Sequence, residues 1–371
     1  MMARNSMSPD ISEEIENIEK EIQDTPYNKA TQFHIGKLKA KLSKLREQQE
    51  KQGKGTSSGG GYGVKKEGDA TVGFVGYPSV GKSTLLNQLT NAKSEVAEYH
   101  FTTLDVIPGV MHHNGAEIQI LDLPGLVKGA ASGKGRGREV LSVVRVVDLI
   151  IMVCDVYRPD IETIAQELEA MGIRLNKKPP EIVISKRDRG GIDVASTVDL
   201  TDLDHDVIKE VMRVYGYINA SIIIRDDINV DQLIDHLRGN RVYVPAFAVI
   251  NKMDLVTKEE LQEISDGIKT WDPIYISAQE AKGMEQLKDR IFDFLDFMRI
   301  YLKPQGEKGD DEPLIVKRGA TVEDVCRKLH SDFIDKFRYA RIWGPSARFP
   351  QQQVGMDHIM QEGDVLRIII E

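Results

Sequence analysis

The sequence predicts an α/β fold: a mostly parallel, doubly wound sheet that carries an inserted domain, preceded by a helical hairpin and followed by a small β-rich module. Three observations carry that reading. Short apolar runs alternate with amphipathic helical stretches through the middle of the 371-residue chain, the pattern of a parallel sheet covered on both faces. One crossover is far longer than the usual helix-to-strand loop. The composition, 41% hydrophobic and 29% charged, is ordinary for a globular chain of two or three domains.

Residues 8–52 read as two helices. Ile11, Ile15, Ile18 and Ile22 form one stripe, and Ile35, Leu38, Leu42 and Leu45 another, both at helical spacing. Ser8-Pro9 is a start signal, and Thr25-Pro26-Tyr27-Asn28 separates the helices. The first helix is acidic (Glu13, Glu14, Glu16, Glu19, Glu21) and the second basic (Lys29, Lys37, Lys39, Lys41, Lys44, Arg46). Mutual attraction or solvation of these faces and a basic surface for RNA stand as equal alternatives. A Gly/Ser-rich linker at 53–63 completes a first region, residues 1–68.

The next region, 69–172 continued by 244–302, holds the sheet. Strands are expected at 70–75, 118–121, 149–154, 244–250 and 273–276. Helices are expected at 83–89, 140–147, 161–171, 258–269 and 284–295. The long crossover, 173–243, has strand-like runs at 182–184 and 222–224 and helices at 206–215 and 230–237, enough for a small α+β domain. Residues 303–371 form the last module: strands at 313–317, 339–343 and 365–370, and a helix to Leu329 whose start, Thr321-Val322-Glu323-Asp324, resembles a capping box.

A net charge of −9 argues against a general polyanion binder. Cys154 and Cys326 lack metal-ligand spacing and read as reduced core thiols. The apolar run at 146–153 contains Asp148 and is too short to cross a bilayer. Neither the start, Met1-Met2-Ala3, nor the end, Ile370-Glu371, offers a lipidation signal. A cytoplasmic protein without membrane attachment is expected.

The chemistry lies in ordered strings. Gly76-Tyr77-Pro78-Ser79-Val80-Gly81-Lys82-Ser83 matches G-x-x-x-x-G-K-[ST] between a strand and a helix, with Thr84 next on that helix. Its backbone N–H groups and helix terminus suit phosphate. Lys82 should reach the β- and γ-phosphates and Ser83 should ligate Mg²⁺. Asp122-Leu123-Pro124-Gly125 follows a strand, where Asp122 can hold the magnesium through water and the Gly125 N–H can sense the γ-phosphate. Asn251-Lys252-Met253-Asp254 follows another strand. The acceptor-only Asp254 carboxylate suits guanine N1–H and N2–H₂, so the nucleotide expected is GTP. Ser277-Ala278 should offer a backbone contact to guanine O6. Phe101-Thr102-Thr103 lies between the first two strings, and a hydroxyl there can complete the Mg²⁺ shell. Spacing alone does not choose between the threonines.

These strings, with Tyr99 to Leu104, Gly129 to Gly137, Asn28-Lys29-Ala30-Thr31, Gly355-Met356-Asp357-His358 and Glu362-Gly363-Asp364-Val365, resemble the Obg-like GTPases. More closely, they resemble the developmentally regulated GTP-binding proteins of archaea and eukaryotes. The resemblance implies a P-loop GTPase domain, an inserted domain like ribosomal protein S5 domain 2, and a C-terminal ubiquitin-like β-grasp (TGS) domain. It selects Thr103 as the magnesium ligand and makes Lys82, Thr103, Asp122 and Gly125 the catalytic set. It implies GTP/GDP as ligand, ribosome or ribosomal RNA as partner, and a family-type regulatory protein as a further partner.

Leu126 stands where Ras-like enzymes orient water with Gln, so slow intrinsic turnover is expected. Relatives hold K⁺ with an Asn where this chain has Ser79, which leaves K⁺ stimulation open. A G-protein switch outside translation and an RNA-binding scaffold with structural nucleotide are the competing readings. His112 and His113, before a turn at Asn114-Gly115, read as solvated loop residues. For Arg338, Arg341 and Arg348, RNA contact and simple solvation weigh equally.

Overall fold

The structure, a computed structural model, describes residues 11–29, 31–52, 68–90, 107–123, 141, 143–268, 270–303 and 312–370. Two compact units emerge. The first joins the N-terminal helices to residues 169–243, and the second joins residues 142–168 and 244–371 to the strands that precede them.

In the first unit, α1 (Ile11–Asp24) and α2 (Gln32–Gln52) form the expected hairpin. Ile15, Ile18, Leu38 and Leu45 make its seam. The opposite face of α2 is also used. Ala40 lies in the core of the inserted segment, and a side chain at Gly36 would meet Val207 Cγ1 at 2.7 Å. The sequence reading treated hairpin and insert as separate domains, yet they share one core. Their basic residues find partners inside this unit: Lys37 with Glu210 at 2.8 Å, Lys39 with Asp231 at 2.7 Å, Lys41 with Glu14 at 2.6 Å and Arg46 with Glu19 at 2.7 Å. Lys44 donates to the Val214 carbonyl at 2.8 Å. Lys41 and Arg46 thus meet the acidic first helix, whereas Lys37, Lys39 and Lys44 meet the insert.

The region around the insert contains α4 (Ile161–Ala170), β5 (Ile173–Leu175), β6 (Ile182–Lys186), β7 (Ile192–Ser196), α5 (His205–Val214), β8 (Ala220–Ile224), α6 (Val230–Arg238) and β9 (Val242–Val244). β6, β8 and β7 form a sheet, antiparallel then parallel, with Ile222 and Ile224 packed against Val207, Val211, Leu233 and Ile234. β7 was not anticipated. At the root of the insert, β5 pairs with β9 beside a buried charge cluster. Asp235 accepts from Arg174 Nε at 2.5 Å and Nη2 at 2.9 Å, and from Arg241 Nε at 2.6 Å.

In the second unit, β1 (Ala70–Gly76), α3 (Lys82–Leu89), β2 (Ile107–His113), β3 (Ala116–Asp122), β4 (Leu149–Asp155), β10 (Ala246–Asn251) and β11 (Ile274–Tyr275) build the central layer. α7 (Lys258–Gly267) and α8 (Met284–Phe294) accompany it. The order is β11-β10-β4-β1-β3-β2. All neighbours are parallel except β2 and β3. β1 and β4 are buried throughout, as continuous apolar strands inside a parallel sheet must be. From β1 the chain builds to one side through β3 and to the other through β4. The carboxyl end of β1 is thus a topological switch point, the usual place for a ligand in such sheets.

The terminal module comprises β12 (Phe297–Leu302), β13 (Leu314–Lys317), α9 (Val322–Leu329), α10 (Asp332–Asp335), β14 (Phe337–Trp343), β15 (Gln352–Val354) and β16 (Val365–Ile370), with sheet order β13-β12-β16-β14-β15. The capping box is present: Thr321 Oγ1 accepts from Asp324 N, and Asp324 Oδ2 accepts from Thr321 N. β12 corrects the expected boundary at 302/303, because it pairs with β13 and β16 and so belongs to this sheet. His113 is not a loop residue but ends β2 and meets Asp289 at 2.7 Å. Cys154 and Cys326 are free and buried. Among the described residues no helix is long and apolar enough to cross a membrane.

Removing one partner of a buried charge cluster leaves the others uncompensated. Asp235→Ala should therefore destabilise the first unit by about 3–5 kcal/mol, measured by denaturant unfolding. An effect within experimental error would show that Arg174 and Arg241 reach solvent.

Candidate functional site

The loop after β1 is shaped by close approaches. A Cβ on Gly76 would stand 2.1 Å from the Val153 carbonyl oxygen on β4. Gly81 has φ +93, and a Cβ there would stand 2.3 Å from Asn251 Nδ2. Ser79 is also left-handed, with φ 66, so the chain turns sharply enough to start α3 at Lys82.

Lys82 is buried and donates to the carbonyls of Gly76 and Tyr77, both at 3.0 Å. An ammonium has three donors, so one remains for a ligand. Burial lowers its pKa, and Asp122 offsets this in part. Ser83 Oγ donates to Asp122 Oδ2 at 3.2 Å. Asp122 is 4% exposed. Its other oxygen, Oδ1, is buried without a hydrogen-bond partner among the described residues. Burial raises the Asp122 pKa, against the smaller effects of Lys82 and Ser83. A buried carboxylate with an orphaned oxygen beside a hydroxyl is a fitting donor set for a hard, oxygen-seeking cation such as Mg²⁺.

The string at 251–254 clasps the same loop. Asn251 Nδ2 donates to the Val80 carbonyl at 2.9 Å, and Asn251 Oδ1 accepts from Ala278 N at 2.9 Å. Lys252 Nζ donates to the Ser79 carbonyl at 2.8 Å and pairs with Asp155 Oδ2 at 2.6 Å. Asp254 then stands in a short 3₁₀ turn, Met253–Leu255. Its Oδ1 is buried and has no partner among the described residues. The Ala278 N–H, expected on guanine O6, is already engaged by Asn251, so any contact with a base would share or exchange that bond. Ser277 N donates to the Lys282 carbonyl at 3.1 Å and Ser277 Oγ accepts from Glu280 N at 3.1 Å, which holds this loop in a tight turn.

The geometry thus gathers Gly76, Tyr77, Pro78, Ser79, Val80, Gly81, Lys82, Ser83, Asp122, Asn251, Lys252, Asp254, Ser277 and Ala278 around the carboxyl ends of β1, β3, β10 and β11. Thr84 follows on α3. Phe101, Thr102, Thr103 and Gly125 lie outside the described residues. Two residues were missed by sequence reasoning. Asp155 ends β4 and holds Lys252. Arg158 lays its guanidinium 3.6 Å from the Tyr77 ring centroid. Asp155 carries the same signal that marked Asp122, an acid closing an apolar parallel strand.

Such a sheet, with a glycine loop at the switch point clasped by an Asn-Lys pair, defines a P-loop GTPase fold. Family comparisons agree. The model described as "50S ribosome-binding GTPase" matches residues 71–186, that of the C-terminal region of the same domain matches 189–297, and the TGS domain model matches 298–370. A GTP-binding protein of Methanocaldococcus jannaschii is 54% identical, the alignment covering 97% of this chain and 93% of the relative. Developmentally regulated G-protein 3 of Arabidopsis thaliana is 46% identical over 97% of this chain and 98% of its own length. Developmentally regulated GTP-binding protein 1 of Xenopus laevis is 45% identical over 96% and 98%. The chain belongs to the developmentally regulated GTP-binding protein family of Obg-like GTPases. The TGS match from residue 298 agrees with the placement of β12 in the terminal sheet.

A carboxyl group whose folded pKa is raised destabilises the fold above that pKa and ceases to do so below its unfolded value. At neutral pH the Asp122 charge therefore costs the nucleotide-free protein stability. Asp122→Asn, nearly isosteric and uncharged, should raise the melting temperature of the nucleotide-free protein. A lower melting temperature would mean that the carboxylate stabilises the fold.

Proposed function

We propose that the protein hydrolyses GTP to GDP and phosphate with Mg²⁺, slowly on its own, as a cytoplasmic switch on the ribosome. The observation that carries the nucleotide reading is the pair of buried, unpartnered carboxylate oxygens, Asp122 Oδ1 and Asp254 Oδ1. They flank one loop, one beside Lys82 and Ser83 and the other beside Asn251 and Lys252.

Ser83 and Asp122, the latter through water, would hold Mg²⁺, with Thr103 added by family resemblance. The ion would neutralise charge on the β- and γ-phosphates. Lys82, already steered by two loop carbonyls, would offer its third donor to phosphate. Binding an anion there also relieves the burial that disfavours its charge. Gly125 would sense the γ-phosphate through its N–H. Leu126 cannot hydrogen-bond water, so this chain lacks the usual side chain for orienting the nucleophile, which supports slow turnover. Ser79 stands at the place where relatives hold K⁺ with Asn, so this chain would need another ligand for any K⁺ stimulation.

The ribosome link draws support from the description of the matching GTPase model and from one face of the terminal sheet. There Arg341 stands directly across from Arg367, although like charges facing each other are unfavourable. Lys303 Nζ and Arg367 Cζ lie 5.0 and 5.6 Å from the Trp343 ring centroid, and Arg341 Cζ lies 5.9 Å from that of Tyr339. On this face Arg367 Nε also donates to the Lys303 carbonyl at 3.1 Å, and Arg299 of β12 pairs with Glu362 at 2.6 Å. Cations interleaved with aromatic rings suit phosphate and exposed bases.

Two measurements test these readings. Xanthine has a carbonyl oxygen where guanine has its N2 amino group, and Asp254→Asn replaces an acceptor with a donor. The variant should lose GTP affinity and gain xanthosine triphosphate affinity by about 10²-fold or more. A retained GTP preference in titrations would move the base site elsewhere. Arg341→Ser with Arg367→Ser should reduce ribosome co-sedimentation severalfold while GTP hydrolysis without ribosomes stays at wild-type rate. Undiminished co-sedimentation would exclude this face.

A further inference from the structure

We infer that Asp155, with Arg158 held on its turn, is a positioning pair that latches the guanine-side loop and the phosphate loop to one rigid piece of chain.

Asp155 ends β4, the strand between β1 and β10, and is 8% exposed. Its two oxygens do different things. Oδ1 accepts from the backbone N–H groups of Tyr157 and Arg158, at 3.2 and 3.0 Å, closing a tight turn. Oδ2 takes Lys252 Nζ at 2.6 Å. The Val156 N–H donates to the Asn251 carbonyl at 3.2 Å, so the turn is also joined to the backbone of the guanine-side loop. Lys252 reaches the Ser79 carbonyl with a second donor. A lysine stem has many rotamers, and anchoring its ammonium at two points removes most of that freedom. The turn directs Arg158 over Tyr77, the second residue of the phosphate loop. One short segment therefore fixes the phosphate loop at Ser79 through Lys252 and at Tyr77 through Arg158. The loops that would take the base and the phosphates are tied together through Asp155 and Lys252. Asp155 and Arg158 act through Lys252 and Tyr77 rather than through contacts of their own with a ligand, so the effect expected is on retention of nucleotide.

This inference rests on the nucleotide site proposed above. The test is a double-mutant cycle on the full chain, read as the dissociation rate of fluorescently labelled GDP. Asp155→Asn keeps an oxygen for the turn and turns an amide donor towards the ammonium. Asp155→Asn and Lys252→Met should each accelerate dissociation about tenfold, and the double variant should be no faster than the faster single one. The larger effect should fall on dissociation rather than on single-turnover hydrolysis of bound GTP. Additive effects overturn the inference, as does wild-type dissociation in Asp155→Asn when Lys252→Met is fast. Wild-type dissociation in Lys252→Met overturns both the inference and the site assignment beneath it. Should Asp155→Asn fail to fold, Arg158→Gln, at an exposed position, still decides. It should accelerate dissociation about two- to fivefold, and no acceleration overturns the latch.

Discussion

The nucleotide end of this molecule depends on hydrogen bonds from the side chains of Asn251 and Lys252 to the carbonyls of Val80 and Ser79. A loop rich in glycine has much conformational freedom to lose. It can serve as a phosphate cradle only if something else orders it. Here the ordering groups come from a strand two places away in the sheet, across β4. Buried, purely parallel pairing of β1, β4 and β10 fixes that spacing to within the reach of one side chain. The glycine at 81 is needed because Asn251 comes so close, and Asn251 can come so close only because residue 81 has no side chain.

The same constraint explains what could be read in the sequence. β1, β4 and β10 are continuous apolar runs ending in Gly76, Asp155 and Asn251, so each shows both its burial and its end. The motif strings sit at those ends and were legible for that reason. β2 was not legible: Ile-Pro-Gly-Val-Met-His-His has no clean alternation, and it is a strand because β3 pairs with it. β12 was hidden differently. From Ile291 to Leu302 apolar residues fit helix and strand alike, and the change of element occurs at Asp296, a left-handed residue with φ 54. The union of hairpin and insert depends on contacts such as Gly36 against Val207, between residues far apart in the chain, which no local pattern announces. Asp155 was visible as a residue but not as a partner, since its role exists only once β4 and β10 are neighbours.

Two buried acids show how structure and function divide the use of charge. Asp235 is surrounded: Arg174 and Arg241 satisfy both oxygens, and the cluster holds the root of the insert. Asp122 is equally buried but has only Ser83 on one oxygen and Lys82 nearby. A protein selected for stability alone would neutralise or pair it. Burial raises its pKa, and a cation bound at its unpartnered oxygen would offset that cost.

Orphaned polar atoms alone do not locate a site. Glu167 Oε2 and Asn240 Oδ1 also lack partners among the described residues. Glu167 lies within α4 and Asn240 in the loop before β9, neither at a strand end that faces the glycine loop. Tyr275 Oη, at the end of β11, is also unpartnered among the described residues, so a strand end alone does not mark a site either; Asp122 and Asp254 also lie beside side chains already bonded to the loop between β1 and α3. Lys82 donates to Gly76 and Tyr77, Lys252 to Ser79, and Asn251 to Val80. The carbonyls of four of the six residues from Gly76 to Gly81 thereby accept from side chains, which removes much of the freedom of a glycine-rich loop. The proposed nucleotide site therefore rests on these oxygens and the clasped loop taken together, not on an unpartnered atom alone.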